Sequence, residues 1–135
     1  MKLYGSNTSS YVRKVRIQAL EGGYWDQIDF FEMATAFWMR RCWRYEHSQR
    51  PELARWNDWS DGQMMKIDGA LAEMEGSTAS FGDRMDIGTI TVACALGRLD
   101  FRFATKDWRN SNTALADWFE VMMARPSVSG TVPPQ

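Results

Sequence analysis

Between Met85 and Phe101 the chain carries a stretch with a marked start and almost no polar side. Asp86 is placed to cap a helix, because its carboxylate can accept from the free N–H groups of the first turn, and Thr89 reaches back in a variant of the capping box. Met85 and Ile90 then stand at the two positions of a hydrophobic staple. From Ile90 to Leu99 only Arg98 is charged. A helix apolar all round is either buried or spans a membrane, and the polar breaks at Thr91 and Arg98 with the short apolar run exclude a span. Gly88 and Gly97 would each cost roughly 1 kcal/mol relative to Ala in an exposed helix, so the close approach of a neighbouring helix backbone is expected there. The rest of the chain must cover this rod.

At 135 residues there is enough chain to do so within one domain. A hydrophobic share of 44% against 24% charged suits a soluble globular protein, and a formal charge of −1 gives no overall field for nucleic acid or an anionic membrane. Seven Trp and nine Met call for large buried surfaces, a core with a subunit interface before an apolar site. Cys42 and Cys94 fall in predicted helices without CxxC spacing, which reads as buried thiols in a reducing compartment. The N-terminus has no apolar signal-peptide core, so a cytoplasmic location is expected.

Met1 to Gly5 suits a short strand, and the polar turn Ser6 to Ser10 suits the cap of a helix beginning at Tyr11. In that helix Tyr11, Val12, Val15, Ala19 and Leu20 form the apolar side, with Arg13, Lys14 and Arg16 on the wet one; Gly22-Gly23 ends it. A lone strand leaves its backbone unpaired, so this piece must dock, pair with a second chain, or fray. From about Trp25 to His47 the spacing predicts a long helix, with Ile28, Phe31, Thr35, Trp38, Cys42 and Tyr45 in steps of three and four. Phe30, Met33, Ala34 and Phe37 make a second row. Two apolar rows call for two partners, one of them on another subunit.

Arg50-Pro51 ends that helix. Asp58 or Ser60 can cap the next, roughly Trp59 to Glu75, with Met64, Ile67, Leu71 and Met74 as its seam. Gly76 to Thr78 closes it, and Ala79 to Arg84 reads as a loop. Beyond the central helix lies a polar connection containing Asp107-Trp108-Arg109. An amphipathic helix from Thr113 to Ala124 then aligns Leu115, Trp118, Phe119 and Met122. Arg125-Pro126-Ser127 breaks it, and a draped or disordered tail follows. The expected fold is an all-α helical bundle with a short N-terminal strand and helix.

Chemistry-bearing constellations are few. His47, the only histidine, stands beside Glu46 near a helix C-terminus and reads as a surface residue, so no metal site is expected. Trp38, Arg40, Arg41, Trp43, Arg44 and Tyr45 interleave aromatics with cations, but helical spacing spreads them around the circumference, and Glu46 and Glu52 offset their charge. Nucleic-acid binding is therefore not expected, and neither is a membrane partner.

Laid out in this way, the chain resembles a glutathione S-transferase with most of its first domain missing. The opening from Met1-Lys2-Leu3-Tyr4-Gly5-Ser6 through Thr8-Ser9 to Tyr11-Val12-Arg13-Lys14-Val15 resembles the first strand, catalytic turn and first helix of bacterial members, written M-K-L-Y-G-S-x-T-S-P-Y-V-R-K-V. Arg44-Tyr45-Glu46 with Arg50-Pro51-Glu52 looks like the end of the first long helix of their all-helical C-terminal domain. Trp59, Gln63, Lys66-Ile67 and Leu71 fit the next helix. Thr91 to Leu96 leading to Leu99-Asp100-Phe101-Arg102-Phe103 fits the buried central helix, and Leu115, Trp118 and Ala124-Arg125-Pro126-Ser127 the closing one.

The resemblance implies residues 1–23 as the remnant of a thioredoxin-like domain, 24–128 as a helical domain like the family's C-terminal one, and 129–135 as a tail. It puts Ser9 at the catalytic serine position, whose hydroxyl would donate to the glutathione sulfur, although Ser10 replaces the usual proline and a helix-capping role is the plainer one. Glutathione is then the implied substrate, with no cofactor. The family's cis-proline turn and its Glu-Ser pair, which hold the tripeptide, are missing. Thr89 stands where the family usually has Asp, so Asp86 and Thr89 form the structural cap. Phe30, Met33, Phe37 and Trp38 would face an apolar ligand or an interface, and their loss of cover predicts a homodimer. Two functions follow. One is a non-catalytic helical module that binds an apolar ligand or a protein. The other is an active transferase with Ser9 in a site built between subunits.

Overall fold

The computed structural model describes residues 1–32, 51 and 56–133. Among these residues the chain is mostly helical, with two short strands near its N-terminus: β1 (Lys2–Gly5), α1 (Ser10–Glu21), β2 (Asp29–Glu32), α2 (Asn57–Ser77), α3 (Ile87–Arg102), α4 (Thr113–Met123) and α5 (Pro126–Ser129). Met33, Phe37, Trp38, Cys42, His47 and the basic and aromatic run around them lie outside the described residues.

The front of the chain corrects the reading of a helix from Trp25. Trp25–Gln27 is a single 3₁₀ turn and Asp29–Glu32 is a strand, paired in parallel with β1 so that Lys2 faces Asp29, Leu3 faces Phe30, Tyr4 faces Phe31 and Gly5 faces Glu32. Parallel strands need a long crossover, which α1 supplies. Gly23, at φ +69°, makes the left-handed turn that brings the chain back. Buried Ile28 and half-buried Phe30 alternate with exposed Asp29 and Phe31, a period of two that the longer three-and-four pattern hid. The strand-helix-strand unit thus runs to Glu32.

Helix α1 is turned away from its expected orientation. Val12, Ile17 and Ala19 are buried, but so is Arg13, whereas Tyr11 is 75% exposed and Val15 and Leu20 are also wet. Periodicity locates an apolar face, but neighbours fix it, and here the neighbours are α3 and the C-terminal segment.

Around α3 the helices form two layers of core. Ala93, Leu96 and Leu99 pack with Leu71 of α2, Trp108, and Leu115, Trp118, Phe119 and Met122 of α4. On its other side Ile90 and Cys94 meet Ile17 of α1 and Val128 of α5. The rod is therefore buried along two faces, while Ala95 and Ile87 lie at the surface. Its start is a built capping box: the Asp86 carboxylate accepts from Thr89 N at 3.0 Å, and Thr89 Oγ1 accepts from Asp86 N at 3.2 Å while donating to Arg84 O at 2.8 Å. Bonding to the Thr89 N–H, opposed by slight desolvation and helped by Arg84, holds the Asp86 carboxyl below the usual carboxylate range.

The glycines of α3 answer to side chains instead of a helix backbone. A Cβ at Gly97 would stand 2.3 Å from Arg13 Nη1, and one at Gly88 would stand 3.1 Å from Asp86 Oδ1. Helix α4 lacks a cap of its own, and Glu75 of α2 supplies one by accepting from Ala114 N at 3.0 Å and Leu115 N at 2.7 Å. The chain after Arg125 is a helical turn with buried Ser127 and Val128, followed by buried Thr131, so of the draped and disordered tails expected there these residues take the draped form. Pro126 starts that turn at a position where its missing N–H costs nothing.

Candidate functional site

The turn between β1 and α1 gathers hydroxyls and an amide. Ser6 Oγ and Thr8 Oγ1 share a hydrogen bond of 3.0 Å, Ser9 N donates to Ser6 O at 3.0 Å, and Ser9 Oγ accepts from Val12 N at 3.5 Å as the cap of α1. Capping uses one acceptor site of the Ser9 hydroxyl and leaves its proton free to donate. A thiolate placed there would also meet the positive end of the α1 dipole. The site can therefore stabilise sulfur charge, provided that something holds the thiol in place.

Behind the turn, Asn7 Nδ2 donates to Glu32 Oε2 at 2.6 Å and Arg16 Nη1 donates to Asn7 Oδ1 at 2.8 Å, tying the loop to β2 and to the middle of α1. The Arg16 guanidinium lies 5.7 Å from the Trp25 ring centre and 5.8 Å from that of Phe30. Phe30, expected on a helix face with Met33, Phe37 and Trp38, stands instead on β2 with its ring tilted against Trp25 at 6.3 Å. Tyr4 is stacked on Phe31 at 5.0 Å and Tyr11 lies open to solvent under Lys14.

A second polar cluster, missed in the sequence, joins α3 to the connection that leads into α4. Asp100 accepts from Arg109 through both oxygens, each at 2.8 Å, and from Trp108 Nε1 at 2.8 Å. Burial pulls the Asp100 pKa up, but these bonds and the Arg109 charge win, so the carboxyl stays below its usual range. The same bonds push the Arg109 pKa up. An acid at Asp100, ahead of the Thr105 to Asn112 connection, and a base at Arg109 within it were the available signal. Cys94 is buried, and burial pushes its thiol pKa up, against the thiolate form. Among the described residues no group of three or more acidic, His or Cys side chains could hold a metal ion, and no helix is long and apolar enough to cross a membrane.

A strand-helix-strand unit seated on a helical bundle, with a serine at the helix start and a capped helix in the core, defines a two-part class of protein. Residues 57–120 match the family described as glutathione S-transferase, C-terminal domain. Among solved structures, a glutathione transferase family member from Pseudomonas fluorescens Pf-5 with bound S-(propanoic acid)-glutathione is 26% identical. It superposes with a TM-score of 0.87, with 100% of each chain covered. A second structure from that organism, with bound glutathione, gives 25% identity and a TM-score of 0.87 over 99% of each chain. A glutathione S-transferase from Methylobacillus flagellatus KT, 21% identical with a TM-score of 0.82 over 98% of this chain and 99% of that one, shares the fold. No curated protein matches the chain. The chain is therefore similar to glutathione S-transferases, in sequence over residues 57–120 and in fold over its length.

Proposed function

We propose that the protein is a non-catalytic glutathione S-transferase-like module: a cytoplasmic homodimer that binds an apolar ligand or a protein partner. One observation carries this reading. The first 50 residues contain no proline, and among the described residues there is no cis peptide bond. The resemblance gives the grip on glutathione's backbone to a cis-proline turn, so the Ser9 hydroxyl has a donor's chemistry without the clamp that would hold a thiol against it. Exposed aromatics on β1 and β2 support an interface on this side of the unit.

The relatives with glutathione bound favour a second reading, an active transferase in which Ser9 activates the thiol in a site shared between two chains. Retention on immobilised glutathione, with conjugation of glutathione to an electrophilic aromatic, separates the two. The module predicts neither. Turnover that falls at least tenfold in Ser9→Ala would establish the transferase. Mass from light scattering tests the dimer, and a monomer at micromolar concentration removes it.

A further inference from the structure

A pocket of about 260 Å³ opens between the C-terminal half of α3, α4 and the segment Val132–Pro133, and Arg13 is among the residues that line it. Arg13 is only 3% exposed. Its Nε donates to Thr131 Oγ1 at 3.4 Å, and its Nη2 donates to Val128 O at 3.0 Å and touches Met123 Sδ at 3.8 Å. Nη1 makes no hydrogen bond among the described residues, and it occupies the space that Gly97 leaves by having no side chain. No carboxylate among those residues pairs with Arg13. Asp100, on the pocket wall, is already taken by Arg109 and Trp108.

A buried charge is costly unless it is paired, and among the described residues the acceptors that bond Arg13 are all neutral. The remaining wall includes Phe101, Phe119 and Met123, which suit an apolar body. Asp100 and Glu120 on the same wall disfavour a ligand carrying more than one negative charge. We propose that this pocket binds a small monocarboxylate with an apolar body, its carboxylate accepting from Arg13 Nη1 and its body lying against Phe101, Phe119 and Met123. The site does not depend on the Ser9 turn.

Titration calorimetry with 3-phenylpropionate tests the proposal, with 3-phenylpropanol and 3-phenylpropylamine as probes of the same body and different charge. A charge-assisted bond predicts that the acid binds about tenfold or more tightly than the alcohol, and that the amine is weaker still. Val132→Asp, at an exposed position on the pocket, should weaken the acid severalfold without moving the unfolding temperature. Arg13→Met should erase the preference for the acid; if that variant does not fold, Val132→Asp decides. Excess glutathione should leave the acid bound. Equal affinity for acid and alcohol, no binding by the folded chain, indifference to Val132→Asp, or displacement by glutathione would each overturn the assignment. None of these results bears on conjugation at Ser9.

Discussion

The helical body and the strand-helix-strand unit in front of it rest on different physics. In the body, Trp108, Leu115, Phe119 and Met122 are all but fully buried against one another. In the unit, Tyr4, Tyr11 and Phe31 face solvent, the sheet has two strands among the described residues, and the buried apolar residues there are Val12, Ile17, Ala19 and Ile28. A two-stranded sheet is not stable in isolation, so the unit borrows its stability from the body. The loan is made through α1: Ile17 in the cluster of Ile90, Cys94 and Val128, Arg13 on the Val128 carbonyl, and Glu21 paired with Arg125 at 3.5 Å. The body should therefore fold largely without the unit, whereas the unit should not fold without the body.

The harshest test of that asymmetry is Trp108→Ala. It empties a site that is 2% exposed and takes the indole donor from Asp100. The expected loss is about 3–5 kcal/mol by urea unfolding, enough to unfold a marginal domain and the unit with it. Ile17→Ala should cost less, about 2–4 kcal/mol, and should do so unevenly. Hydrogen exchange should show the β1 and β2 amides opening well before those of α3. Equal loss of protection everywhere would mean that unit and body are one cooperative structure, and the comparison would fail.

These two regions also differ in how far the sequence discloses them. The start of α3 is legible because Asp86, Thr89 and Met85 act within one turn of the helix they define. Helix α4 is legible because four apolar residues at helical spacing need only one buried side. Strand β2 is not, because Asp29–Glu32 becomes a strand by pairing with Lys2–Gly5, and no local signal carries a partner so far away in the chain. Arg13 is hidden for a related reason: basic residues on a short helix read as solvated, and its burial is set by Gly97 and Thr131. Of the candidate site, Ser9 could be read from its place before a helix, whereas the Arg13 pocket needed α1, α3, α4 and the C-terminal segment brought together.

Asp100→Asn probes the polar seam of the body. Because the carboxylate is part exposed, screening limits the expected cost to about 1 kcal/mol at neutral pH. The sign with pH follows from its lowered pKa. The stabilisation is present above the unfolded carboxylate value of about 3.9 and is lost as pH falls through the lower folded value. Urea midpoints of the wild type and variant should therefore converge below about pH 4. A gap that persists in acid would show that the geometry of Asp100, and not its charge, holds the seam.

The smallest effect belongs to the unit's own surface. Tyr4 and Phe31 face each other across the two strands with ring planes 18° apart, and Phe31 is 43% exposed. A cross-strand aromatic pair of this kind is worth under about 1 kcal/mol, and half-wet rings should fall toward the low end. A double-mutant cycle with Tyr4→Ala and Phe31→Ala isolates the pair. A coupling near zero in global unfolding, with faster exchange confined to β1 and β2, would sharpen the comparison, because the unit would then loosen without the body noticing. A large coupling would mean that these rings are covered in solution, and a second copy of the chain is the cover that the proposed dimer provides. The cycle repeated at protein concentrations below and above the dimer's dissociation range distinguishes the two: only an interface makes the coupling grow with concentration.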